Sequence, residues 1–140
     1  MNPDDVLQSL QAIATSDDFM GQTYELTDKW SAEPDSYKAV EPILLFLEEH
    51  PDVDVGSPGP LVHFVEQFYG DNYEAKLLES LRRKPTAHTV WMLNRIINGV
   101  KDPAQRQPYI KAMSDAMNHP LTDSSAREQA AHFLERIKRL

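Results

Sequence analysis

The residues of this chain that could do chemistry are few, and each sits in the wrong company. Asp52-Val53-Asp54 has the form of the paired carboxylates that hold a nucleotide-bound metal. Such a site is usually built on an α/β fold, and no strand pattern is present, so a solvated loop at a helix end explains these residues better. His63-x-x-Glu66 and His132-x-x-Glu135 each place His and Glu on one helical face. Di-metal bundles use the reverse order, Glu-x-x-His, with further Glu on partner helices. Glu128 and His132, four apart, read as a surface pair.

Ser57 in Gly56-Ser57-Pro58-Gly59 superficially resembles a nucleophile elbow, but the spacing differs from Gly-x-Ser-x-Gly and no strand precedes it. Pro58 also lacks the N–H that an oxyanion hole would use. Gly56 and Gly59 are not followed by the Gly-Lys-Ser/Thr of a phosphate loop. Arg82-Arg83-Lys84 could touch phosphates, yet one basic triplet in a chain of net charge −8 does not make a nucleic-acid surface. The chain has no Cys, which excludes thiolate ligands and disulfides. The expectation is a protein that is no enzyme and needs no metal or cofactor.

The elements that position these residues read as helices throughout. Asn2 caps a first helix with Pro3 at its first position, and Val6, Leu7, Leu10 and Ile13 follow at helical spacing. A shorter helix is expected near Met20–Lys29, with Tyr24 and Trp30 inward. From Asp35, a stripe of Tyr37, Val40, Ile43, Leu44 and Leu47 predicts a helix that Pro42 kinks or restarts, ending at His50-Pro51. Ser57 is expected to cap the next helix, with Pro58 in its first turn and Leu61, Phe64, Val65 and Phe68 on the core. Asp71 or Asn72 opens the following helix, which ends at Arg82-Arg83-Lys84, where cations suit the helix dipole. Thr86, Asp102-Pro103 and Thr122 or Asp123 open the last three.

The fold class expected is therefore all-α. Pro51, Pro85 and Pro120 each separate the two helices of a pair, at intervals of 34 and 35 residues. That spacing suits an irregular HEAT-like stack of about three helical hairpins over residues 35–140, with residues 1–34 as an N-terminal helical cap. The alternative is an α-bundle with prolines in its loops.

Charge is distributed unevenly. Residues 1–81 hold 17 Asp+Glu against 3 Lys+Arg, whereas residues 82–140 hold 5 against 11. An acidic surface repels nucleic acid and draws cationic partners. Glu48, Glu49, Asp52 and Asp54 fall within seven residues with no compensating cation, and Asp71 and Glu74 are placed near them across the stack as partner-binding candidates. Asp17, Asp18 and the N-terminal cap come next. Trp91, Asn94, Arg95 and Asn98 share a helix face, where Asn94 and Asn98 are expected to be structural, satisfying backbone groups of a loop such as Gly56–Pro60. Neither a signal peptide nor an apolar run of membrane-spanning length is present, which suggests a soluble cytoplasmic protein with no membrane partner.

Two segments carry a family resemblance. Leu47-Glu48-Glu49-His50-Pro51-Asp52-Val53-Asp54-Val55-Gly56-Ser57-Pro58-Gly59-Pro60-Leu61-Val62-His63 and Arg83-Lys84-Pro85-Thr86-Ala87-His88-Thr89-Val90-Trp91-Met92-Leu93-Asn94-Arg95 resemble small bacterial immunity proteins of polymorphic toxin and contact-dependent inhibition systems. The resemblance spans roughly residues 36–118. It implies a cytoplasmic, non-enzymatic protein that binds one cognate toxin domain, often a cationic nuclease, and blocks it. These families vary most where they touch the toxin, so the resemblance transfers no binding residue. The other functional expectation is a helical-repeat adaptor that binds a protein or peptide; an α-helical enzyme is the least favoured.

Overall fold

Every regular element of the computed structural model is helical, and residues 1–138 are described. The α-helices are α1 (Pro3–Ile13), α2 (Phe19–Ser31), α3 (Val40–Glu49), α4 (Pro60–Glu66), α5 (Tyr73–Arg83), α6 (Ala87–Gly99), α7 (Pro103–Met117) and α8 (Ser124–Lys138). A 3-10 turn, Ser36–Ala39, leads into α3. The chain forms two compact units, Met1–Lys76 and Leu77–Leu140, with the boundary inside α5. No described helix is long and apolar enough to cross a membrane.

The first unit is built around α3. Val40, Pro42, Ile43, Leu44, Phe46 and Leu47 are all buried, so apolar side chains cover nearly its whole circumference. A helix of that kind belongs in the middle of a core. α1 packs on α3 and α2 on α4. Two long-range links set the direction of α1. The N-terminal ammonium donates to Asp35 at 2.8 Å, and Gln11 Nε2 donates to Glu49 at 2.8 Å. One link lies where both helices start and the other where both end, so α1 and α3 run parallel. α2 returns between their levels, with Phe19 stacked on Phe46 at 6.0 Å and Trp30 edge-on to Phe64 at 5.9 Å.

Two expected core aromatics lie outside. Tyr24 is 51% exposed and Tyr37 is 57% exposed. On α2 the buried stripe runs Phe19, Thr23, Thr27, Trp30, and the threonine hydroxyls turn back to the Met20 and Tyr24 carbonyls. Hydroxyls paired in this way can be buried, and Tyr24, one step around the helix from Thr23, then faces out. Tyr37 belongs to the 3-10 turn. That turn advances about three residues per revolution, so Tyr37 loses the helical phase it would share with Val40 and Leu44. Pro42, in the first turn of α3, does not kink the helix there, because the N–H it lacks has no intrahelical acceptor in any case.

The predicted start of α4 is corrected. Gly59, not Ser57, is the N-cap, Pro60 is the first helical residue, and no side chain caps the helix. A residue before proline is pushed out of the α region. Gly59 accordingly sits at φ −108°, ψ −173°, and a helix begun at Pro58 could not pass through it. A Cβ on Gly59 would overlap the Val55 carbonyl oxygen, and Gly56, at φ +94°, lies directly against Gly59. The Ser57–Pro58 peptide is cis.

In the second unit α6 is central and both α7 and α8 pack on it. Thr86 opens α6 with a capping box. Its hydroxyl accepts from the Thr89 N–H at 3.2 Å, and its own N–H donates to the Thr89 hydroxyl at 3.0 Å. Asp102 caps α7 through the Gln105 N–H, and Asp123 caps α8 through the Ala126 N–H. α7 continues through Pro108. Ala116, Ala126 and Ala130 are buried, and such small side chains allow close helix approach.

Candidate functional site

Parallel α1 and α3 bring the two loops that follow them to the same end of the first unit. Gln11 and Glu49 mark that end, and Met20 and Gly56 extend it. A Cβ on Gly56 would come within 3.3 Å of the Met20 methyl, so the loop before α4 lies beside the start of α2. Asp17, Asp18, Glu49, Asp52 and Asp54 are all exposed here. Asp54 accepts from the Gly56 N–H at 2.9 Å, which fixes the loop and leaves the second carboxylate oxygen to solvent.

The unit's only cations lie at the other end. Lys29 is in the last turn of α2, Lys38 is in the 3-10 turn 3.4 Å from Asp35, and Lys76 is 3.4 Å from Glu41 in the first turn of α3. The N-terminal ammonium is there too, and its hydrogen bond to Asp35 holds that carboxyl below the usual carboxylate range. The first unit, 16 Asp+Glu against 3 Lys+Arg over residues 1–76, is thus polarised along its helices, with one end uncompensated. The second unit holds 6 against 11 over residues 77–140.

The six predicted partner-binding residues do not form one set. Glu49, Asp52 and Asp54 share the acidic end. Glu48, beside them in sequence, is only 7% exposed and belongs to the packing around α3. Asp71 lies in a hollow with Tyr37, Val40, Asn72, Tyr73 and Lys76. Val40 begins α3 and Glu49 ends it, so Asp71 is displaced from Glu49 by about 14 Å of helix rise. Both Glu74 oxygens accept from the Gly70 N–H at 3.0 Å, which ties that side chain to the turn before α5. The sequence placed Asp71 and Glu74 near the acidic cluster because it could not show that they belong to the opposite end of α3.

The predicted structural polar residues fare differently. Ser57 is exposed and is not a cap. Asn98 is exposed and Asn94 half-buried, so neither is an enclosed asparagine of the kind that must find a backbone partner. Arg95 instead stacks on Trp91, 5.1 Å from the ring centre. His63 and His132 are exposed, and Glu66 accepts from the Tyr69 hydroxyl at 2.9 Å. Among the described residues no three His, Asp or Glu converge as a metal site would require.

One polar residue carries no signal in the sequence. His119 bonds through Nε2 to the Arg82 carbonyl at 2.6 Å and through Nδ1 to the Leu121 N–H at 3.0 Å. A histidine before a proline gives no sign of a contact to a residue 37 positions away.

Comparison with family models, with curated protein sequences and with solved structures returned no match to this chain.

Proposed function

We propose that this chain is an immunity protein that binds and neutralises a cognate bacterial toxin domain, a basic nuclease, through the acidic end of its first unit. The observation that carries the reading is the segregation of charge. Five exposed carboxylates crowd one end, and all three lysines of the unit lie at the other. Such a face steers a cationic partner and repels nucleic acid, so a protein bearing it can occupy the surface a nuclease uses for phosphates. On this reading the protein acts in the cytoplasm, performs no catalysis, and needs no cofactor, nucleic acid or membrane.

The finer fold reading is an irregular HEAT-like arrangement of helical hairpins, and it belongs to the same proposal. Packing of α1 on α3, of α2 on α4 and of α6 on α8 supports it, because stacked hairpins set every second helix against its equivalent. The same regularity favours the second functional reading, a helical-repeat adaptor.

Co-expression tests the choice. A toxin domain encoded beside this gene should kill cells alone, spare them when this chain is present, and co-purify with it. Survival without this chain, or killing despite a soluble excess of it, refutes the immunity reading. Stable capture of a non-toxic host protein in its place supports the adaptor.

A further inference from the structure

Three tyrosines of the first unit are exposed, and two of them have neighbours that hold them. Tyr69 donates its hydroxyl to Glu66 and meets the Tyr73 ring edge-on at 5.4 Å. Tyr37 walls a hollow with Val40 and Tyr73. Tyr24, on α2, is different. It is 51% exposed, and its side chain makes no hydrogen bond, ring stack or cation contact among the described residues.

Two carboxylates bracket Tyr24 along the helix. Asp28 follows it by four residues on the same side, a spacing that sets Cβ atoms about 5–6 Å apart. Three residues before it stands Gly21, and the Asp18 carboxylate fills the space of the side chain that Gly21 lacks, with Oδ1 2.6 Å from where a Cβ would be. Asp18 is the N-cap of α2 yet makes no cap hydrogen bond, and the exposed Asp28 carboxylate makes no ion pair among the described residues. Both therefore keep their acceptors. Lys29, the one cation of α2, is five residues beyond Tyr24 and so about 140° around the helix from it. An aromatic ring among anions favours a cation on its face. Guanidinium is the cation that can stack flat on a ring while donating in its plane to a carboxylate.

We propose that the outer face of α2 takes an arginine of a basic protein partner, its guanidinium stacked on Tyr24 and paired with Asp28, while Asp18 adds its charge from the other side. Tyrosine and arginine are among the residues that most often anchor protein interfaces. Asp17 and Asp18 lead directly into α2, so this face continues the acidic end along the helix. The inference rests on the reading that this end meets a basic protein, and it names the group by which that protein is held.

The probes are hexa-arginine and hexa-lysine, equal in charge, added to the full chain at low salt. Hexa-arginine should bind more tightly, and its side-chain methylene protons should move upfield in NMR spectra as they lie over an aromatic ring. Tyr24→Ala, at an exposed site, should weaken hexa-arginine by roughly two- to fivefold, the worth of one exposed cation–π contact, and remove the upfield shift. Hexa-lysine, whose ammonium cannot stack flat, should lose less. Tyr24→Phe keeps the ring and should restore both readouts, and Asp28→Asn should weaken hexa-arginine again. Equal affinity of hexa-arginine for the wild-type, Tyr24→Ala and Asp28→Asn chains would overturn the proposal. So would an upfield shift that survives Tyr24→Ala, or self-association of the chain that Tyr24→Ala abolishes, which would give this face to a second copy. A catalytically inactive toxin domain separates the two readings. If it binds the wild-type and Tyr24→Ala chains alike, the α2 contact fails and the acidic end stands. If it does not bind at all, the immunity reading fails and the peptides still decide the α2 contact.

Discussion

A variant carrying Asp17→Asn, Glu49→Gln, Asp52→Asn and Asp54→Asn would lose four charges from the acidic end and keep its hydrogen-bond acceptors. The amide oxygen introduced by Glu49→Gln could still accept from Gln11, and that introduced by Asp54→Asn could still accept from the Gly56 N–H, so the loop geometry has no reason to change. Glu48 is left alone because it is buried. Asp18 is left because its carboxylate sits where a Cβ on Gly21 would come within 2.6 Å. Exposed substitutions of this kind change stability by about 0.5 kcal/mol or less each. Their effect on encounter is larger. Steered association reaches about 10⁸–10⁹ M⁻¹s⁻¹ at low salt, against about 10⁵–10⁶ without steering. The variant keeps Asp18 and the carboxylates elsewhere in the unit, so the expected fall is part of that span, roughly 10- to 100-fold. At about 0.01 M salt the Debye length is about 30 Å and the whole end acts together; at 1 M it is about 3 Å and the two proteins should associate alike. Stopped-flow mixing with a catalytically inactive toxin domain across this salt range reads both. Unchanged rates and an unchanged salt slope at low salt, with native circular dichroism, would refute docking at this end.

Three further outcomes follow from the packing. Thr86→Ala leaves the buried Thr89 N–H without the acceptor it now has at 3.2 Å, and chemical denaturation should show a loss of about 1–3 kcal/mol that Thr86→Ser largely restores. Gly59→Ala forces a Cβ into the Val55 carbonyl oxygen and should cost at least the roughly 1–3 kcal/mol of an overpacked site, whereas Gly99→Ala, where a Cβ meets nothing within 4 Å, should not. Acetylating the Met1 amine removes the ammonium whose hydrogen bond lowers the Asp35 pKa, so an NMR titration should find that carboxyl moved up toward 3.8. Because the folded value is depressed, the stability gained from this pair is present above 3.8 and lost as pH falls through the folded value, so free and acetylated proteins should converge in strong acid.

Most helix boundaries were legible because the chain marks them with local chemistry. Asn2-Pro3, Thr86 and Asp102-Pro103 each satisfy or remove the first free N–H groups of a helix, and all three start helices where expected. Where two local signals competed, reading failed. Pro58 and Pro60 both suit a first turn, and only the effect of Pro60 on Gly59 decides between them. Tyr24 and Tyr37 failed for a different reason. An aromatic at helical spacing reads as core unless something else fills the stripe, and buried threonines or a change from α to 3-10 winding do not show in hydrophobic periodicity. The acidic end was half legible: the run from Glu48 to Asp54 is plain in the sequence, but its union with Asp17 and Asp18 depends on α1 and α3 being parallel, and that rests on links 34 and 38 residues long.

The five carboxylates of the acidic end do not have the same physical reason to be there. Asp17 and Asp18 precede α2, whose N-terminus carries the positive end of the helix dipole, so anions there are favourable by about 0.3–1 kcal/mol each. Local stability alone accounts for them. Glu49 is the last residue of α3, at the negative end, where the same dipole opposes an anion. Its exposed hydrogen bond to Gln11 offsets little of that, and a glutamine would make the bond equally well. Asp54 fixes the loop through Gly56, but asparagine would serve there too. Asp52 has no such contact among the described residues. What Glu49, Asp52 and Asp54 share is negative charge that neither helix nor loop requires, on an end from which every lysine of the unit is absent. That surplus charge, more than the total of −8, is what separates a surface suited to a cationic partner from an ordinary solvated one.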